Sequence, residues 1–380
     1  MIFSSRLPQE IEPNALSLLL AAKHRAGAAV LDLTESNPTH AGIVYPDGFL
    51  NALCDPRAAA YEPEPFGLPA ARELIAREYG SASPERVVMT ASTSEAYSWL
   101  FKLLCNPGDE ILVPRPSYPL FEYLAALESA VVRHYGLFYD HGAWCIDFHT
   151  IARALNEKTR AIVVVNPNNP TGHFTVRHEL RDLAALCADR GIALISDEVF
   201  RDYAIAPRDE SALTLGGQTD ALTFTLHGLS KAVGLPQMKL AWMIAGGPAG
   251  LLHEAMGRLE MIADTYLSAG TPVQCALPSL LALRKPIQRQ ILERLRENLE
   301  FLRASGLRTL HVEAGWYAIV AQGQGDDFAE QLLRERDVLV QPGYFYDFEG
   351  SGSLVLSLLT KPEIFREGVG RMAAALSASH

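Results

Sequence analysis

An α/β fold with a mostly parallel sheet flanked by helices, and a smaller α+β domain attached to it, is what the sequence predicts on three observations. From about residue 85 onward, short β-rich runs alternate with helical patterns, the rhythm of strands joined by crossover helices. Around 265–285 that rhythm breaks at Gly270-Thr271-Pro272, and a long charged helical stretch is followed by shorter strands and helices in mixed order. At 380 residues and 48% hydrophobic content, the chain is long enough to bury two cores. The net charge of −11 leaves no basic excess to neutralise phosphates, so nucleic acid and anionic membrane are disfavoured as partners. A small molecule is the expected ligand.

Residues 14–26 carry Leu16, Leu19 and Leu20 at helical spacing, and 29–33 form a short extended run ending in Glu35-Ser36-Asn37-Pro38. Together they read as an arm leading into a larger body. The alternation then assigns strands to 87–90, 110–113, 131–135, 161–165 and 192–196, with helices at 93–105, 119–128, 149–156 and 176–189. Two further β-rich runs, 223–226 and 240–245, flank a turn that holds Gly228, Ser230, Lys231 and Gly234-Leu235-Pro236. Beyond the break come a helix over 286–303, strands at 312–321, 338–341 and 354–358, and helices over 326–336 and 362–376. With the arm completing the smaller domain, the expected division is a large domain over 45–280 and a small one made of 1–44 with 281–380.

Cys54, Cys105, Cys145, Cys187 and Cys275 are scattered, odd in number and never in C-x-x-C spacing. They are expected to be reduced residues rather than a disulfide frame or zinc site, and no metal is expected. No basic segment precedes an apolar run at the start of the chain, and no uncharged apolar stretch reaches about 18 residues. Cytoplasm is the expected location.

In open α/β sheets ligands gather beyond the carboxyl ends of the strands, so the residues there are the candidates. After 87–91 come Ser92-Thr93-Ser94-Glu95, a capping box whose free N–H groups and hydroxyls also suit an anion. After 111–113, Pro114-Arg115-Pro116-Ser117-Tyr118-Pro119 fixes an aromatic ring, either for packing or as a platform. After 163–165, Asn166-Pro167-Asn168-Asn169-Pro170-Thr171-Gly172 brings three side-chain amides, for which turn chemistry is the plainer reading. Asp197 closes a buried strand, where a carboxylate needs a cationic partner. Lys231 sits on a turn between buried runs; a solvated turn lysine is the plain alternative. In apolar surroundings, however, its ammonium would lose hydration, and the neutral amine could form a Schiff base with a carbonyl. Taken together, these five ends supply what a phosphorylated, planar aldehyde with a cationic nitrogen would use.

The order Asn-Asn-Pro-Thr-Gly at 168–172, Asp-Glu-Val at 197–199 and Ser-Lys at 230–231 resembles the class I/II aminotransferases, fold-type I pyridoxal-phosphate enzymes, over about residues 30–376. The resemblance implies a seven-stranded-type sheet in the large domain, pyridoxal 5'-phosphate as cofactor, and exchange of an amino group between an amino acid and a 2-oxo acid by a ping-pong route. It implies that Lys231 binds the cofactor and serves as base and acid in the proton shift. Asp197 would pair with the pyridinium nitrogen, Asn169 would donate to the ring 3-oxygen, and Tyr118 would stack on the ring. Ser92, Thr93, Ser94 and Lys239 would hold the phosphate, and Ser36 with Asn169 would face substrate. The run from Tyr61 to Pro69 resembles the segment whose tyrosine reaches the neighbouring subunit's phosphate, which implies a homodimer with Tyr61 shared across it.

The chain departs from the family pattern at several positions. Phe200 stands where a tyrosine commonly donates to the ring 3-oxygen, with Tyr203 the nearest phenol in sequence. Lys239 replaces an arginine, losing the bidentate fork, and Gly228 stands where a hydroxyl is often found. Val355 occupies the position of the arginine that grips the substrate carboxylate, with Lys361 the nearest basic residue downstream, and Ser36 stands in place of a glycine. Tyr344, Phe345, Tyr346 and Phe348 are either an aromatic wall on the substrate or core. The alternatives to a transaminase are another reaction on the same cofactor, such as elimination, racemisation or decarboxylation, and a non-catalytic binding role. The last is disfavoured because no basic helix-turn-helix segment precedes residue 30.

Overall fold

A computed structural model of the chain describes residues 3–8, 12–80, 83–215, 220–325, 327–348, 350 and 352–378. The arm begins with the helix Ala15–Arg25, which starts where the Asn14 side chain accepts from the Ser17 N–H at 2.8 Å. Lys23, His24 and Arg25 close its last turn, where positive charge suits the helix dipole. The chain then enters β1 (Leu31–Asp32), which pairs in parallel with Val338–Leu339 some 300 residues later.

Eight strands form the main sheet: β2 (Val87–Thr90), β3 (Glu110–Arg115), β4 (Val131–Asp140), β5 (Ala143–Ile146), β6 (Thr159–Val165), β7 (Ala193–Asp197), β8 (Thr223–Gly228) and β9 (Ala241–Gly246). Their order is β2-β9-β8-β7-β6-β3-β4-β5, with β8, β7, β6, β3 and β4 parallel and the other pairings antiparallel. The centre is parallel because its strands are continuous apolar runs, buried on both faces, as in Ala161-Ile162-Val163-Val164-Val165. Alternate residues feed the two faces. Ile111, Val113, Val163 and Ile195 pack under Thr93–Leu104 and Ala249–Tyr266, while Leu112, Ile162, Val164 and Leu194 meet Leu180, Leu183 and Cys187 of Arg177–Arg190. Seven of these strands make up the expected sheet; β5 adds an eighth as a hairpin on β4. His141 and Gly142, both at positive φ, form the two-residue turn that matches strand twist.

The expected break at 270–272 is instead the start of a helix, Thr271–Ala282, with Gly270 at its N-cap and Pro272 in its first turn. Proline lacks the N–H that is orphaned there anyway, so it begins the helix rather than interrupting it. Beyond it, β10 (Tyr317–Ala321), β11 (Val338–Leu339), β12 (Gln341–Pro342) and β13 (Ser353–Ser357) complete the strands. β10, β13 and β12 form a three-stranded antiparallel sheet in that order, and β11 takes β1. The strand expected over 312–321 begins only at Tyr317, because the N–H groups of Glu313 and Ala314 are used on the Gly172 carbonyl. The core here joins Leu33 of the arm to Ile291, Leu295 and Leu299 of Arg284–Ala304, Ile319 and Val355 of the sheet, and Phe365 and Val369 of Pro362–Ala378. The Leu33 carbonyl accepts from the Ser357 N–H at 2.7 Å, so the arm is stitched to β13.

Candidate active site

Parallel pairing aligns the strand ends: Val165 sits opposite Asp197, and Asp197 opposite Leu226. The residues that follow β2, β3, β6, β7 and β8 therefore converge on one edge of the sheet. A cavity of about 350 Å³ opens there. Ser92, Thr93, Ser94, Tyr118, Asn169, Asp197, Lys231, Lys239 and Ser36 all line it. Of the candidates read from sequence only Tyr61 lies elsewhere, 80% exposed beside a separate small cavity.

Lys231 is carried by the short helix Leu229–Ala232, one turn placed between β8 and β9 by the Leu229 N–H bond to the Leu240 carbonyl at 3.0 Å. Its Nζ lies 4.4 Å from the Trp316 ring centroid and 5.2 Å from that of Phe200. Burial among these rings pushes the ammonium down to about 8, and the Asp197 carboxylate pulls only partly the other way. About a fifth of the amine is therefore neutral at about pH 7.4, enough to supply the form that nucleophilic attack requires while the rest stays cationic beside Asp197. Asp197 shows the same conflict with opposite sign. Burial raises its carboxyl to about 6, against the Val199 N–H at 3.1 Å, the Tyr97 hydroxyl at 3.0 Å and the Lys231 charge. The cationic partner expected for Asp197 is thus Lys231, in the protein alone.

The other half of the cavity suits an anion. The Ser92 side chain caps Thr93–Leu104 by accepting from the Glu95 N–H at 3.1 Å, and Glu95 reaches back to the Ala91 N–H at 2.7 Å, one residue short of a strict capping box. The hydroxyls of Thr93 and Ser94 make no hydrogen bond among the described residues, and they stand with the helix's first N–H groups at the cavity wall, near the Lys239 ammonium. The three amides of the 166–172 run divide their work. Asn166 bonds Ala212 and Thr175, and Asn168 ties Pro116, Ser117 and Thr171 together. Asn169 is left over: its Oδ1 is buried without a partner at the cavity wall, and its Nδ2, the donor a ligand oxygen needs, makes no hydrogen bond among the described residues. An amide without a partner, a buried carboxylate, an amine of lowered pKa and a helix N-terminus with two hydroxyls in one cavity fit pyridoxal phosphate.

One residue that matters, Tyr317, was missed in the sequence. It is the first residue of β10 and lines the cavity with Ser36, which is close enough to act on the Tyr317 phenol. Gly228 lines the wall too, and a Cβ there would lie 3.0 Å from the Ala241 Cβ, so a hydroxyl-bearing residue would need the neighbouring strand to give by a few tenths of an ångström. Ser230, next to the lysine, lines the cavity as well. Tyr203 does not substitute for the phenol absent at Phe200, because its hydroxyl donates to the Lys231 carbonyl at 2.6 Å. Val355 is fully buried opposite Ile319. In the aromatic cluster, Tyr346 is buried against Tyr317 and hydrogen-bonds Gln341, whereas Tyr344 is exposed.

The model of the family "Aminotransferase class I and II" matches residues 36–366. The chain is 32% identical over 277 residues to the glutamate-pyruvate aminotransferase AlaA of Haemophilus influenzae, covering 70% of this chain and 67% of that protein. It is 30% identical to its counterpart in Escherichia coli, covering 67% of this chain and 64% of that one. The chain thus spans about two thirds or less of the length of these relatives. The alanine aminotransferase of Pyrococcus furiosus superposes with a TM-score of 0.84 at 25% identity, covering 96% of each chain. With the motif order, the fold and the family match in agreement, the chain belongs to the class I and II aminotransferases.

Proposed function

We propose that this chain is a pyridoxal-phosphate-dependent aminotransferase that moves an amino group between an amino acid and a 2-oxo acid by a ping-pong mechanism. The observation that carries the reading is the Lys231–Asp197 pair, an amine held near neutrality and a carboxylate, buried on one cavity wall. Bound there, the cofactor supplies an electron sink for the carbanion that proton removal from substrate creates. The protein's share is binding, orientation and proton movement. Lys231 holds the cofactor and then shuttles the proton at its Nζ; Asp197 keeps a proton on the ring nitrogen; Asn169 donates to the ring oxygen. Tyr118 covers the ring, Ser92, Thr93, Ser94 and Lys239 hold the phosphate, and Ser36 with Asn169 meets substrate.

The large domain over 45–280 carries the cofactor, and 1–44 with 281–380 form the small domain; a core around Leu33, Leu295 and Val369 supports that division, and Trp144, Phe200 and Tyr203 of the large domain pack into it at the junction. We read the active unit as a homodimer in the cytoplasm. Tyr61 supports the dimer: it is held outward at the end of a run anchored by the Leu68 N–H bond to Gln274 at 2.7 Å. Among the described residues no helix is long and apolar enough to cross a membrane. The test is the visible spectrum of protein supplied with pyridoxal phosphate, before and after adding amino acids without an oxo acid. Conversion of the bound band to a pyridoxamine-type band, lost in Lys231→Ala, is expected. An unconverted band with accumulating ammonia would replace transamination by elimination, and no bound band would sink the cofactor assignment.

A further inference from the structure

The substrate side of the cavity has no cation of its own. Within one subunit only Lys231 and Lys239 among the lysines and arginines line it, and none of either lies outside the described segments. Both are used in the reading above, on which this inference rests. What faces substrate instead is a pair of hydroxyls, Ser36 from the arm and Tyr317 from β10, both at the cavity wall and with Ser36 close enough to act on the Tyr317 phenol.

The small sheet explains why. Tyr317 pairs with Ser357, and Ile319 with Val355, so all four side chains share one face of the antiparallel sheet. Along that face Ser357 is spent on the arm, its Oγ donating to the Glu35 carbonyl at 2.6 Å. Val355 and Ile319 are closed apolar packing. Glu35, whose carboxylate accepts from the Asn37 N–H at 2.7 Å, stands close enough to Tyr317 to act on its phenol. Glu35 thus sets a carboxylate on the Tyr317 side of the seat, with His40 Nδ1 3.6 Å from its other oxygen. An incoming carboxylate would give up hydration here and meet hydroxyls rather than a countercharge, whereas a carboxamide or alcohol gives up less and meets the same donors.

We propose that Ser36 and Tyr317 form a neutral seat for the group on the substrate α-carbon, so that the site takes amino amides and amino alcohols at least as well as the corresponding α-amino acids. The test uses the cofactor-loaded enzyme and three probes, L-alanine, L-alaninamide and L-alaninol. For each, the concentration giving half-maximal change of the visible band is corrected for its free-amine fraction. Alaninamide and alaninol are expected to equal or better alanine; a tenfold or greater preference for alanine overturns the proposal, as does a bound band that none of the three perturbs. Absence of any bound band on adding pyridoxal phosphate is a different failure, that of the cofactor reading itself.

Val355→Arg should move the preference toward alanine by about tenfold or more, because a guanidinium restores the countercharge. An unchanged ratio in a folded, cofactor-binding Val355→Arg overturns the placement of the seat. Should the buried arginine prevent folding, Tyr317→Phe decides: it should weaken alaninamide by roughly three- to tenfold while cofactor affinity holds, and an unchanged value overturns the proposal.

Discussion

Asp197→Asn should stabilise the cofactor-free protein while weakening its hold on the cofactor. Burial raises the Asp197 carboxyl from 3.8 to about 6. At about 1.4 kcal/mol per pH unit, a shift near two units makes the ionised group a net cost of roughly 3 kcal/mol in the folded chain. The sign follows from the raised value. The folded state holds the proton more tightly than the unfolded one, so this cost is absent below about pH 4, grows as pH rises through 4 to 6, and is complete above that. Asparagine keeps Oδ1 as acceptor for the Val199 N–H, and its Nδ2, in place of Oδ2, can donate to the Tyr97 hydroxyl oxygen, so little bonding is lost. Lys231 loses its countercharge, but burial already brings it down to about 8, so it can shed its proton rather than remain an unpaired ion. Allowing for that loss, a gain of about 1–2 kcal/mol remains at pH 7.5, or roughly 1–3 °C in melting temperature for a chain of this length. Thermal unfolding at pH 4 and 7.5 without cofactor, beside a pyridoxal-phosphate titration, checks both halves. The stability gain should vanish at pH 4, and the dissociation constant should rise by about tenfold or more with the loss of the charged pairing. An Asp197→Asn protein less stable than its parent at pH 7.5 would refute the burial argument, and unchanged cofactor affinity would refute the assignment of Asp197 to the ring nitrogen.

Phe200→Tyr adds a donor at the cavity wall that favours the deprotonated form of the bound cofactor, so the midpoint of the visible-band pH titration should fall; an equal or higher midpoint counts against that role. Tyr97→Phe removes the hydroxyl that holds the Asp197 carboxyl down, so that group should rise above about 6 and the acid limb of the kcat/KM profile should move to higher pH. Gly67→Ala should destabilise by about 2 kcal/mol or more, read as a lower melting temperature, because a side chain at φ +88° would lie 2.6 Å from both Gln274 and Met89.

What the sequence made legible is what strand chemistry writes locally. The apolar runs of β3, β6 and β7 announce a buried parallel centre, and the strand-end rule then points to Ser92, Tyr118, Asn169 and Asp197 without any long-range information. Signals with two meanings were harder. Gly270-Thr271-Pro272 looks like a break and is a helix start, and the helix that follows contains Pro278, which obscures its period. The four-residue strand β5 is too short for alternation to stand out, although His141-Gly142 is a hairpin signal. Asn168 and Asn169 are chemically identical neighbours. The family resemblance singles out the second, but only the folded contacts show why: the first is consumed in tying the loops together and the second is left facing the cavity.

Tyr317 marks the boundary of that legibility. Nothing near it in sequence distinguishes it from the other aromatic residues of 316–348, because its place depends on pairing with Ser357, 40 residues away, and on an arm residue, Ser36, from the far end of the chain. The cofactor half of the cavity is assembled from ends of adjacent parallel strands, whose positions the local pattern fixes. The substrate half is assembled by the small antiparallel sheet and the arm, whose register no local pattern states. Chemistry common to the family therefore sits where sequence is easy to read, and the residues that decide which amine enters sit where only the tertiary structure brings them together.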